Sequence, residues 1–245
     1  NFLTLGSFAN LITQVAAYLP MALGIAGCIV LTGTDLSAGR VSGLTAAVAA
    51  VMLQKSDFAN KMFQNLPEVT IGWILVVMLG VVLIGAVIGL VNGYFVAKFS
   101  LHPFIVTLST QLITYGIILW FFGLNGNNGQ PISGLSKEYK EFVGGELFRL
   151  GNVAVPMYVL YAVILVIAMW FVWNKTAFGK NMFAVGSNAE AAKVSGVNVF
   201  WTTVLVHTLA GAMYGYAGFV EGVRSGSVAA TTGLNAECDA IAACV

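Results

Sequence analysis

Between Ile71 and Ala97 the chain runs for 27 residues without a charged side chain. A helix of that length rises about 40 Å, against a hydrocarbon core about 30 Å thick. The stretch can therefore cross a bilayer with length left over for tilt or a bend. Further apolar runs follow the same rule: Val15 to Gly33, Pro103 to Phe122, Pro156 to Trp173 and Thr202 to Val223. Val41 to Leu53 is apolar but too short for a simple span, and reads as a half-helix or re-entrant segment. The expected fold class is an all-α polytopic membrane protein, a bundle of transmembrane helices with discontinuous or re-entrant segments.

Composition agrees. The chain is 58% hydrophobic and only 9% charged, where soluble domains carry about 25% charge. A net charge of +1 argues against a nucleic-acid partner. Residues 1–14 are mixed and read as an interfacial segment, and Pro20 marks the start of the first span or kinks it. Gly85, Gly89 and Gly93 recur every fourth residue, a face that lets two helix backbones approach closely. Gly211, Gly215, Gly218 and Gly222 make a second such face. Trp170, Phe171 and Trp173 form an aromatic belt before Asn174-Lys175.

Nothing marks an enzyme. There is no His-Glu-x-x-His, no Gly-x-Ser-x-Gly and no phosphate-binding glycine loop. Cys28, Cys238 and Cys244 lack metal or redox spacing and read as small buried residues. His102 is expected at a helix entry and His207 facing a neighbouring helix. No metal site is expected, and any coupled nucleotide hydrolysis must belong to another chain.

A polar island, Lys175 to Asn198, separates two apolar runs. Ser187-Asn188-Ala189-Glu190 fits a capping box, with Ser187 and Glu190 satisfying each other's amides. Ser195-Gly196 supplies a left-handed stop, and Glu190 and Lys193 are spaced to pair. A helix of about two turns is too short to be stable alone in water, so a partner is expected to hold it.

Two acidic motifs lie at the mouths of apolar segments. Asp35, in Thr34-Asp35-Leu36-Ser37-Ala38-Gly39, either caps the segment that follows or belongs to a pathway or gate. Glu237 and Asp239 stand before small apolar residues in the same way. Counting crossings places Asp35 and Asp239 on opposite faces, as an inverted repeat would. Asn92, Thr107, Ser109, Thr110 and Gln111 either line a pathway or bond neighbouring helices. The candidate pathway residues are Asp35, Ser37, Asn92, Glu237 and Asp239.

Arg40, Lys98, Lys175, Lys180 and Lys193 fall in short segments on one side. Lys55, Lys61, Lys137, Lys140, Arg149 and Arg224 are spread over longer segments on the other. That density places residues 174–201 in the cytoplasm.

Together, Gly33 to Arg40, Asn174-Lys175-Thr176, Phe178-Gly179-Lys180-Asn181, Asn188 to Asn198 and Glu237 to Ala243 resemble the membrane subunits of bacterial ABC-type monosaccharide importers. The likeness is nearest the galactose/methyl-galactoside branch, with ribose permeases further off. It covers nearly the whole chain, in order, and departs at Cys238, where the family carries Leu. The resemblance implies a single permease domain over residues 1–245, paired as a homodimer in the inner membrane and surrounded by lipid. It also implies an ATP-binding cassette subunit, which binds the ATP, and a periplasmic sugar-binding protein. Residues 174–201 would be a cytoplasmic coupling loop. Its helix, through Asn188, Ala189, Glu190, Lys193, Ser195 and Gly196, would dock on the ATP-binding subunit. The family continues past Val245, and the chain lacks an initial Met, so it is expected to be a piece of a longer protein. The competing readings are an ion-coupled secondary transporter of a small polar solute, which would need a coupling charge within a span, and a structural or receptor-like membrane protein.

Overall fold

The computed structural model describes residues 4–150 and 153–245. Helices dominate: α1 (Leu5–Val30), α2 (Ala38–Met52), α3 (Ile71–Phe99), α4 (Pro103–Phe122), α5 (Lys137–Gly144), α6 (Met157–Lys175), α7 (Ala177–Ser187), α8 (Ala189–Val194), α9 (Val199–Ser225) and α10 (Ala236–Ala242). One antiparallel hairpin joins β1 (Glu146–Leu150) to β2 (Val153–Pro156). Among the described residues, five helices are long and apolar enough to cross a membrane: α1, α3, α4, α6 and α9.

The helix starts are chemically specified. Thr70, Ser136, Thr176 and Asn198 each accept the amide of the residue three positions on, opening α3, α5, α7 and α9. These bonds satisfy amides that a helix start leaves without intrahelical partners. His102 is at a helix entry as expected, its ring Nδ1 accepting from Phe104 N ahead of Pro103.

Residues 1–3 of the expected interfacial segment, and residues 151 and 152 of the long polar segment, lie outside the described residues. From Leu5 onward that segment is helical: α1 is one helix, capped by Thr4 and continuous through Pro20. Pro20 therefore does not begin the helix. Its missing N–H costs one internal bond, which a buried, packed helix can absorb.

The bundle is centred on α9, which packs across α3, α2 and α1. Glycine decides the α3–α9 approach. A Cβ on Gly85 or Gly89 would strike the carbonyls of Gly211 or His207, and one on Gly93 would meet Val204 Cα at 2.8 Å. The two glycine series do meet, but the second splits between partners. Gly211 and Gly215 lie against α3, whereas Gly218 abuts Ser42, Thr45 and Ala46 of α2, and Gly222 meets the Tyr139 hydroxyl. Helices crossing at an angle share a face only over a few turns.

The short helix α2 is buried along its length, with only Val48 and Met52 partly exposed. Alanine, glycine, serine and threonine let α3, α9 and α4 close around it. The outer surfaces of α3 and α4 carry exposed Leu79, Leu83, Val87, Leu112, Ile113 and Trp120. In water such surfaces would be costly; in lipid they are at home.

Candidate functional site

Two irregular segments enter the bundle from opposite ends. Residues 31–37 enter from the end that carries Val30, where Gly33 packs against the Pro103 ring. Residues 226–235 enter from the end that carries Ser225. That second segment pairs Val228 with Ile132, then passes Gly43 at Thr232 and Gly39 at Gly233, and opens into α10. It thus runs along α2 toward its N-terminus. Gly43 and Gly39 are needed for this approach, because a Cβ on either would overlap the Thr232 or Gly233 carbonyl.

At the start of α2 the first segment builds a buried polar network. Asp35 Oδ1 accepts from Ser37 N at 2.8 Å and from Ser37 Oγ at 2.6 Å. Tyr214 of α9 donates to Asp35 Oδ2 at 3.3 Å. Asn92 of α3 donates to Ser37 Oγ at 3.2 Å, and Thr110 of α4 donates to Asn92 Oδ1. Thr107 accepts from Leu36 N at 3.1 Å. Asp35, Ser37, Asn92 and Tyr214 are each 1% exposed. A buried carboxylate is tolerated when hydrogen bonds satisfy it, and here both oxygens are engaged.

Asp35 does not cap α2 in the ordinary way. Ser37 occupies the cap position and makes no side-chain cap bond. Asp35 instead folds an Asx turn that presents the helix start to α3, α4 and α9.

The second acidic motif arrives at the same place. Glu237 is 3% exposed, accepts from Gln111 Nε2 at 3.0 Å, and leaves its Oε2 buried without a partner. That oxygen lies against Gly39. The expectation of two acidic motifs on opposite faces is thus overturned: both segments meet at the start of α2, having entered from opposite ends. Crossing counts fail here because neither segment crosses. Asp239 is separate from this cluster and exposed on α10.

Arg40 is not the loop cation its sequence position suggests: it is 6% exposed, donates to the Ala230 carbonyl and lies 4.2 Å from the Tyr115 ring centroid. Buried in the bundle, it says nothing about which side faces the cytoplasm. Polar residues within the spans mostly bond neighbours, as with Thr107, Thr110, Gln111 and Asn92, while Ser109 bonds its own helix at Ile105. His207 faces α3 at Gly93, with its Nε2 buried and unpartnered. Cys28 is buried and Cys244 half-buried, but Cys238 is exposed, contrary to expectation.

At the other pole of the chain, α7 and α8 cover the end where Val30, Phe99 and Lys175 terminate. Helix α8 is six residues long. Its cap is Asn188, which accepts from Ala191 N at 3.0 Å, and Ser187 belongs to α7. The expected Ser187–Glu190 capping box is absent, because α7 continues one residue into it. Nor do Glu190 and Lys193 pair among the described residues. The stop is as expected: Gly196 has φ +84°, and the Gly196 and Val197 amides donate to Lys193 and Ala192 carbonyls. This double bond is a Schellman closure. Only Ala192 of α8 is buried, and Asn188, Ala189, Glu190, Lys193, Ser195 and Gly196 are all exposed. Val194 is 90% exposed. Sequence reasoning passed over it, although an apolar residue in a polar island was a signal to follow.

A lipid-facing bundle, a buried polar junction fed by two irregular segments and a short helix displayed at one end define a polytopic membrane permease. The chain belongs to the family described as branched-chain amino acid transport system / permease component, whose model matches residues 7–245. It is 45% identical to the galactose/methyl galactoside import permease protein MglC of Haemophilus influenzae, over all of this chain and 71% of that protein. Against the MglC protein of Escherichia coli K12 the identity is 46% over the same shares. The ribose import permease protein RbsC of Escherichia coli K12 is 32% identical, over all of this chain and 70% of that protein. No solved structure matches the chain significantly. The chain is thus a multi-pass inner-membrane permease of the ABC import class, and the ion-coupled alternative finds no support.

Proposed function

We propose that this chain is the permease subunit of an ATP-driven importer of a galactose-like monosaccharide. The observation that carries the reading is 45% identity to a galactose/methyl galactoside import permease across every residue of the chain. ATP is bound and hydrolysed by a separate cassette subunit, and the permease itself needs no cofactor. A second permease copy completes the pathway, and a periplasmic sugar-binding protein delivers the sugar.

Residues 174–201 form the cytoplasmic coupling loop within a single transmembrane domain. The exposure of α8 supports this, since a six-residue helix with one buried side chain gains most of its packing from a partner. With Arg40 removed from the loop count, Lys98, Lys175, Lys180 and Lys193 face six cations at the other end, so charge alone does not set the orientation. Single cysteines at positions 137 and 193 test it. Impermeant reagent should label 137 from outside intact cells and 193 only after permeabilisation; the reverse pattern overturns the assignment.

Asp35, Ser37, Asn92 and Glu237 form a gate at the junction of the two irregular segments, with Asp239 on its flank. Closure of the ATP-binding pair would move α8, and the bundle would transmit that motion to the junction. Such a switch requires contacts that differ between the two states; the unpartnered oxygen of Glu237 is a candidate for one of them. Uptake of radiolabelled galactose should survive collapse of the proton gradient and stop on ATP depletion. The opposite result would sink the reading.

A further inference from the structure

At the end opposite α8, a cavity of about 450 Å³ opens between the loop after α2 and the loop after α4. This is the size range of small-molecule sites, about 300–1,000 Å³. Its polar lining is Asn60, Lys61, Asn125, Asn127, Asn128 and Gln130, with no carboxylate. Lys61 is only 6% exposed, and among the described residues no acid pairs with it. A lysine this buried is ordinarily paired, so an unpaired one lining a cavity points to a ligand that supplies acceptors.

The amides refine the class. Asn125 Nδ2 donates to the Met62 carbonyl at 3.0 Å, and Asn127 Nδ2 donates to the Phe122 and Gln130 carbonyls at 3.1 and 2.7 Å. Asn127 has spent both of its amide donors on the protein and Asn125 one of its two, so Asn127 presents only its oxygen, an acceptor, and Asn125 presents an oxygen and one remaining N–H. Lys61 and the amides of Asn60, Asn128 and Gln130 supply donors. An anion, which only accepts, would face the Asn125 and Asn127 oxygens unfavourably, and Lys61 repels a cation. Hydroxyl groups donate and accept at once and satisfy both sets.

We propose that this cavity is a binding site for a neutral polyol of monosaccharide size at the end of the bundle opposite α8. The choice of a hexose as the polyol rests on the import function proposed above.

The test is a titration of the purified full chain in nanodiscs with D-galactose, read by saturation-transfer NMR, with acetate as the anionic competitor. Wild type should show saturable transfer that acetate does not displace. Lys61→Met should weaken it about tenfold or more, the usual effect of losing a charge-assisted hydrogen bond. Gln130→Ala, at an exposed position, should weaken it with an unchanged melting curve, and it decides the matter if Lys61→Met misfolds. Absent transfer, displacement by acetate, or variants that bind like wild type would overturn the site. Absent transfer alongside normal ATP-dependent galactose uptake by the whole transporter would remove the site and leave the import reading standing. Binding without any ATP-dependent uptake would do the reverse.

Discussion

The Tyr214 hydroxyl donates to Asp35 Oδ2 at 3.3 Å, joining the middle of α9 to the turn before α2 across 179 positions of sequence. Through Ser37 and Asn92 the same carboxylate reaches α3, and through Thr110 it reaches α4. Four elements therefore share one buried network. Removing one member strands the others, which costs more than the lost bond itself. Tyr214→Phe and Asn92→Ala should each destabilise the detergent-solubilised protein by about 1–3 kcal/mol. In the double variant the losses should be non-additive, as for members of one network. Additive losses in thermal unfolding would show that the bonds act independently.

The α3–α9 seam should be intolerant of side-chain volume where α9 is in contact and indifferent where it is not. A Cβ on Gly89 meets the His207 carbonyl, whereas one on Gly80 has nothing within 4 Å. Gly89→Ala should force the helices apart and lower the melting temperature. Gly80→Ala should leave it unchanged or raise it slightly, by up to about 1 kcal/mol of helix propensity. Equal responses at the two positions would count against the packing described.

Val194 stands 90% exposed at the tip of α8. If a partner covers this helix, Val194→Asp should leave the fold intact and abolish both co-purification of the ATP-binding subunit and uptake. Asn188→Ala removes the cap that holds Ala191 N and should cost about 1 kcal/mol of local helix stability. It should reduce coupling less than Val194→Asp does. Wild-type uptake in both variants would remove α8 from the coupling interface.

The β-hairpin lies outside the membrane-spanning helices and carries a titratable pair. Arg149 hydrogen-bonds to Glu146 and holds its carboxyl below the usual glutamate range. A carboxyl lowered on folding adds stability above its unfolded value and loses it as pH falls through the folded value. Both side chains are exposed, so the effect on overall stability is small. An NMR titration should find Glu146 ionising at lower pH than a free glutamate, and Arg149→Ala should bring it back. No change on that substitution would break the assignment.

The division of the chain into apolar helices and polar connections is partly legible in its sequence. The long runs became helices because an apolar stretch in lipid must satisfy its own backbone. Glycines every fourth residue foretold the α3–α9 seam. The stop at Gly196 was readable because only a left-handed residue closes that turn cheaply. Errors gathered where the chain enters the bundle without crossing it. Arg40 looks like a loop cation and is buried against Tyr115; the motifs of Asp35 and Asp239 look as if they belong to opposite faces, yet their segments converge at the start of α2, where Glu237 lies against Gly39. Ser187 looked like a cap and ends α7 instead, since capping sequences do not reveal where a preceding helix stops.

The sequence by itself determined that this is a bundle of membrane helices, which residues would pack backbone to backbone, and where a small polar helix would break the apolar pattern. Those features depend on hydropathy, local backbone preference and side-chain size, all of which act within a few turns. Only the tertiary structure decided that the two irregular segments converge on the start of α2. It also decided which acid is satisfied, which oxygen is left unpaired, and that Lys61 lines a cavity without an acid beside it. These are relations between residues up to 200 positions apart in the chain, such as Gly39 and Glu237. Hydrogen-bond satisfaction in a buried site depends on which distant groups arrive there, and that is fixed only once the helices have closed around it.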